Sequence, residues 1–165
     1  MTAESTRDAA PTIRAGTRSD APLLAQWMAA MAWETEHKRL DPDVLARGVT
    51  AVFDEPARGR YFVAECAAEG QVGIAGMLML TREWSDWRCG DWWWIQSVYV
   101  DPPFRRRGVY RALHAHVRDL ARATPGVCGL RLYVEQENAS AQGTYATLRM
   151  RDAGYFVFEE EFGNG

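Results

Sequence analysis

The residues best suited to chemistry are Arg105, Arg106 and Arg107, followed at once by Gly108. Three guanidiniums beside a glycine fit an anion with several charged oxygens: each planar fork pairs with phosphate, and glycine lets such a group reach the backbone. Their flanks sharpen the point. Residues 92–100 are aromatic and β-branched and predict a buried strand, ended by Pro102 and Pro103, which remove backbone donors. From Gly108 onward Val109, Leu113, Val117 and Leu120 recur at helical spacing, with Arg111, His114, Arg118 and Asp119 on the other face. The first free N–H groups of that helix, around Val109, Tyr110 and Arg111, then lie beside the arginines at the positive end of the helix dipole. A diphosphate is the ligand this arrangement predicts.

Two further segments interleave acids with tryptophans. Trp33-Glu34-Thr35-Glu36 is expected just after a first helix, and Glu83-Trp84-Ser85-Asp86-Trp87-Arg88 in the loop before the central strand. A carboxylate near aromatic faces suits a cationic amine, through charge pairing and cation–π attraction together. Glu34 and Glu83 are the strongest candidates there, with Glu36 and Asp86 read as solvated charges. His114 and His116 sit on the helix behind the arginine turn at alternate positions. They face different ways and cannot share one site or one metal. Both are read as structural or surface residues; His37 lies close enough to Glu34 in sequence to enter an acceptor pocket, with an exposed loop residue as the expected reading. Cys66, Cys89 and Cys128 show no paired spacing, so neither a disulfide framework nor a zinc site is expected, and no metal is assigned.

The Gly-Lys-Ser/Thr ending of a P-loop does not occur in the chain, and neither does Gly-x-Gly-x-x-Gly. Instead Arg105-x-x-Gly108-x-Tyr110, preceded by Val100-x-Pro102, resembles the pyrophosphate turn of the GNAT superfamily of acyl-CoA-dependent N-acyltransferases, Arg/Gln-x-x-Gly-x-Gly/Ala. Tyr110 departs from the small last residue of that pattern. A second similar stretch follows an apolar strand at 130–134. Asn138, Ala141, Tyr145, Leu148 and Met150 match the spacing N-x-x-A-x-x-x-Y-x-x-L-G-F/M, with Arg149 in place of the usual glycine. The resemblance spans about residues 12–160.

It implies an α/β fold with a GNAT-like mixed, mostly antiparallel sheet, helices on both faces and a V-shaped splay between two central strands, here 94–100 and 130–134. The implied co-substrate is acetyl-CoA. Val98, Tyr99 and Val100 would lie along its pantetheine arm, with backbone groups of Val98 and Val100 meeting the arm's amides. Arg105, Arg106, Arg107, Gly108, Val109, Tyr110 and Arg111 would hold the diphosphate, and Asn138 and Tyr145 would complete the contacts. Tyr145 matches the tyrosine that protonates the departing thiolate in many relatives. The implied reaction is direct attack by a neutral amine. An alkylammonium with a pKa of about 10.4 is only roughly one part in a thousand neutral at pH 7, so a base is needed. Several relatives carry a glutamate on the strand that here reads 92–97, which has no carboxylate. Glu34, Glu83 or a water held by Gln96 and Ser97 must serve. The acceptor is expected to be a small amine or a protein amine, cationic in character. A non-catalytic acyl-CoA-binding or regulatory module of the same fold is the competing reading.

Length and composition agree. A chain of 165 residues, 47% hydrophobic, supplies the core of one domain, expected at 12–165 behind a disordered polar tail at 1–11. No apolar run approaches a membrane span and the N-terminus lacks a signal-like apolar stretch, so a cytoplasmic protein without membrane contact is expected, with homodimerisation left open. A net charge of −3 argues against nucleic-acid binding. The remaining elements are a strand at 12–14, a helix from Ser19-Asp20-Ala21-Pro22 to about Ala32, and a second helix from Asp41-Pro42. Strands at 61–66 and 72–80 should turn at Glu69-Gly70, and a last strand should occupy 154–158.

Overall fold

A computed structural model describes residues 10–68 and 71–162. The expected turn at Glu69-Gly70 lies outside the described residues, as does the tail before residue 10. The chain divides into two compact units, residues 1–133 and 134–165.

The first unit runs β1 (Thr12–Ala15), α1 (Ala21–Glu36), α2 (Pro42–Asp54), β2 (Arg60–Ala68), β3 (Gln71–Ser85), β4 (Gly90–Val100), α3 (Val109–Ala123) and β5 (Val127–Leu132). The strands form one sheet in the order β1-β2-β3-β4-β5, antiparallel except for the parallel pair β4 and β5. Local chemistry explains the helix starts. The Asp41 carboxylate accepts from the amides of Asp43 and Val44 at 2.8 and 3.1 Å, and Pro42 takes the first helical position, where no donor is needed. α1 runs past its expected end, because no glycine or proline interrupts the chain until His37 takes a left-handed φ of 52°. Residues 33–36 are therefore its last turn rather than a loop. Glu83, Trp84 and Ser85 likewise belong to β3, which leaves only 86–89 as the turn into β4.

Strand alternation sends apolar residues to both faces. Phe62, Ala64, Leu78, Leu80, Trp93 and Ile95 pack with Val109, Leu113, Val117 and Ala121 of α3. Tyr61, Val63, Met77 and Tyr99 pack on the other side with Leu24, Trp27 and Met28 of α1 and Val49 and Val52 of α2. Gly76 sets how closely α3 approaches: a Cβ there would lie 2.9 Å from the Tyr99 carbonyl oxygen and 3.0 Å from Val109 Cγ1.

Two irregularities in β4 position the site. Leu80 pairs with Ile95 and Met79 with Ser97, which leaves Gln96 as an extra residue. Such a bulge reverses the alternation, so Trp93 and Ile95 face α3 whereas Tyr99 faces α1 and α2. The pairing with β5 also stops at Ile95 and Leu132, while pairing with β3 continues to Val100. Residues 97–100 thus pair with β3 and have no β5 neighbour. This is the expected splay.

The second unit contains α4 (Ala139–Thr147). The strand expected at 154–158 is not formed: residues 151–162 carry neither helix nor strand, and Tyr155, Phe156, Val157 and Phe158 are exposed. A strand is stable only when its backbone groups join a ladder, and the described residues of this unit include no strand to pair with. Among the described residues no helix is long and apolar enough to cross a membrane.

Candidate active site

The arginine turn follows β4 directly. A 3-10 turn over Pro102–Phe104 closes with Phe104 N–H donating to the Asp101 carbonyl at 2.8 Å and Arg105 N–H to the Pro102 carbonyl at 3.2 Å. Arg106 then adopts φ 64° and Gly108 φ 81°, both left-handed. Gly108 is the N-cap of α3. No side chain caps that terminus, and a Cβ on Gly108 would meet nothing within 4 Å. The first-turn amides of α3 have no partner within the helix, and Arg105, Arg106, Arg107, Gly108 and Arg111 are all exposed around them. Val109 is buried, which roots the turn in the core. Tyr110 packs against the same core, its ring centroid 6.0 Å from that of His114, so the bulk that departs from the motif is absorbed beneath the turn.

Arg105 is already engaged. Its Nε donates to the Val100 carbonyl at 2.9 Å and its Nη2 to Glu34 Oε2 at 2.7 Å, while Tyr99 Oη donates to Glu34 Oε1 at 2.9 Å. The guanidinium carbon lies 5.4 Å from the Tyr99 ring centroid. Burial raises the Tyr99 phenol above its ordinary range, and the Glu34 carboxylate adds to that. The last turn of α1 is thus joined to the end of β4 and to the arginine turn through one carboxylate. Val98 and Val100 flank Tyr99 and pack on the α3 side, and the Val100 carbonyl is held by Arg105.

Glu83 anchors a second cluster. It accepts from the Trp94 indole N–H and from Arg131 Nη1, the latter at 2.9 Å. Arg131 lies 4.2 Å over the Trp92 ring, and Trp94 stacks on Tyr133 at 4.3 Å. Sequence reasoning missed Arg131 and Tyr133. Arg131 meets this site because it is the register partner of Trp94 in the parallel ladder, a pairing no local pattern announces. Trp94 and Tyr99 are five residues apart on one strand, about 16 Å at the usual rise. The two acids therefore flank the unpaired part of β4 from opposite ends and do not converge on one point.

The other candidates are placed as follows. Asn138 is the N-cap of α4, its side chain accepting from the Ala141 amide at 3.0 Å. Tyr145 is half-buried on that helix, and burial raises its phenol pKa. Arg149 takes a left-handed φ of 65° just past the helix end, which accounts for the glycine usual at this point of the motif. Asp86 accepts from the Trp87 amide in the β3–β4 turn, and Glu36 is exposed. His37 is exposed, His116 packs on Phe62 at 5.2 Å, and His114 is buried with neither ring nitrogen hydrogen-bonded. Among the described residues no group of three or more His, Cys, Asp or Glu could hold a metal ion.

Comparison with known proteins agrees with this geometry. The sequence pattern of the acetyltransferase (GNAT) family matches residues 22–149. A solved structure described as a possible acetyltransferase from Clostridium difficile 630 is 37% identical, with a TM-score of 0.82 over 93% of this chain and 98% of the other. The ribosomal-protein-alanine N-acetyltransferase of Brucella melitensis shares the fold at 16% identity, with a TM-score of 0.69 over 93% of this chain and all of the other. An aminoglycoside N-acetyltransferase in complex with CoA does so at 16% identity, with a TM-score of 0.73 over 96% of this chain and 99% of its own. No curated protein matches in sequence. With the family pattern covering most of its length and the splayed strand and arginine turn in place, the chain belongs to the GNAT family of acetyltransferases.

Proposed function

We propose that this protein is an N-acetyltransferase that moves the acetyl group of acetyl-CoA to a cationic primary amine by direct attack. The observation that carries the reading is the run from Ile95 to Gly108: a strand edge that loses its neighbour and leads straight into an exposed arginine turn at an uncapped helix N-terminus. Unpaired strand groups suit the amides of a pantetheine arm, and the turn suits a diphosphate. The residues fit the group, since an added Cβ at Gly108 would meet only open space.

Acetyl-CoA supplies an activated thioester. The protein must deliver a neutral amine to it and protonate the sulfur that leaves. Glu34 and Glu83 are the carboxylates flanking the free edge of β4, and we assign them to attract the ammonium and accept its proton, directly or through water near Gln96 and Ser97. Tyr145 is assigned as the proton donor. A phenol is protonated at neutral pH, as a general acid requires, and burial shifts this one further in the same direction. Asn138, the N-cap of α4, is assigned to cofactor binding. The acceptor is a small amine or an exposed protein amine.

The test is release of free CoA thiol from acetyl-CoA in the presence of polyamines, amino acids, aminoglycosides and peptides in turn. The reading predicts thiol release that depends on a cationic primary amine. Binding of acetyl-CoA without amine-dependent release from any of them would leave a non-catalytic acyl-CoA-binding module instead.

A further inference from the structure

Arg105 faces two kinds of anion. Its Nε and Nη2 are turned inward, to the Val100 carbonyl and to Glu34, and its position at the head of the turn makes the same guanidinium a ligand for a diphosphate. A guanidinium has five donors, but its single charge can be neutralised only once. The Glu34 carboxylate does so at 2.7 Å. We propose that Glu34 competes with the cofactor's diphosphate for Arg105, so that the last turn of α1 is a built-in brake on cofactor binding and a receiver of its occupancy. The inference rests on the reading of the arginine turn given above.

Two consequences follow from the geometry. When a diphosphate takes the charge of Arg105, Glu34 keeps its bond from Tyr99 Oη and regains its net negative charge at the same place. Tyr99 is therefore a positioning residue. It holds the carboxylate while the partner on the other oxygen changes. A cation is then attracted to Glu34 more strongly with the diphosphate bound than without it. By linkage, a cation at Glu34 must strengthen diphosphate binding by the same factor. The brake is modest, since both side chains are about two-fifths exposed.

The experiment is calorimetric titration of CoA, and separately of pantetheine, which lacks the diphosphate. The proteins are the wild type, Glu34→Gln, Arg105→Ala, the double variant and Tyr99→Phe. Glutamine can still accept from Tyr99 but no longer neutralises Arg105. Glu34→Gln should bind CoA about three- to fivefold more tightly, the size of a partly exposed ion pair, with pantetheine affinity unchanged. The gain should vanish when Arg105→Ala is already present, and should shrink at high salt. Tyr99→Phe leaves both charges in place and should show no such gain. Glu34→Ala serves the same purpose if Glu34→Gln does not fold. Unchanged or weaker CoA binding by a folded Glu34 variant would overturn the proposal. So would equal tightening of pantetheine, or a gain that persists without Arg105. Failure of the wild type to bind CoA at all would overturn the functional reading with it, which separates the two.

Discussion

Replacing Gly108 separates backbone strain from obstruction of a ligand. At φ 81° and ψ 5° the residue lies in the left-handed region, where an ordinary L-residue costs about 1–2 kcal/mol. The protein itself adds no clash, because a Cβ would meet nothing within 4 Å. Gly108→Ala should therefore lower stability by about 1–2 kcal/mol, or Tm by about 2–8 °C for a chain of this size. Asparagine tolerates the left-handed region better, so Gly108→Asn should keep most of the stability. Its longer side chain nevertheless enters the space that a diphosphate would need. Loss of one charge-assisted hydrogen bond, about 1.5–3 kcal/mol, corresponds to tenfold or more in CoA affinity. Thermal melts and calorimetric CoA titrations on both variants give the two quantities separately. A folded Gly108→Asn protein that binds CoA like the wild type would refute the assignment of the diphosphate to this turn. An unchanged Tm in Gly108→Ala would refute the strain argument.

Tyr145→Phe should leave CoA affinity unchanged and lower kcat by about 10², in line with loss of a general acid; wild-type turnover would show the hydroxyl to be dispensable. Arg149→Gly removes a left-handed φ of 65° from a bulky residue and should raise stability by about 1 kcal/mol in urea melts. The Arg14 guanidinium, bonded to Asp20 at 2.8 and 3.0 Å, lowers the Asp20 carboxyl from 3.8 to about 2 against the opposing effect of burial. That contribution is complete above pH 3.8 and is lost as the pH falls towards 2, so Asp20→Asn should flatten the stability profile over that window. His114 is held neutral chiefly by burial, with Arg118 adding to it, so its pKa lies below the ordinary 6.5. Its contribution is complete above pH 6.5 and falls as the solution is acidified, and His114→Leu should remove that slope in melts between pH 5 and 7.

Much of the site was legible because its signals are local. The arginines, Gly108 and the apolar repeat of α3 are neighbours in sequence, and the N-cap Asp41 acts within three residues. What stayed hidden depends on pairing between distant segments. The bulge at Gln96 reverses the strand alternation and sends the Tyr99 side chain to α1, where it meets Glu34. Arg131 reaches Glu83 only through the parallel register of β4 and β5. Residues 33–36 read as a loop because polar residues interrupt the apolar pattern, yet nothing there breaks a helix before His37. Residues 154–158 have the composition of a strand, and composition alone does not provide a ladder partner.

The central claim is acetyl transfer to nitrogen, and mass spectrometry of the acceptor after incubation with acetyl-CoA labelled in the acetyl group tests it most directly. The account predicts one labelled acetyl group on the amine nitrogen of a cationic acceptor, with an equal amount of free CoA. Label that remains on CoA bound to the folded protein, with every amine unmodified, would contradict it.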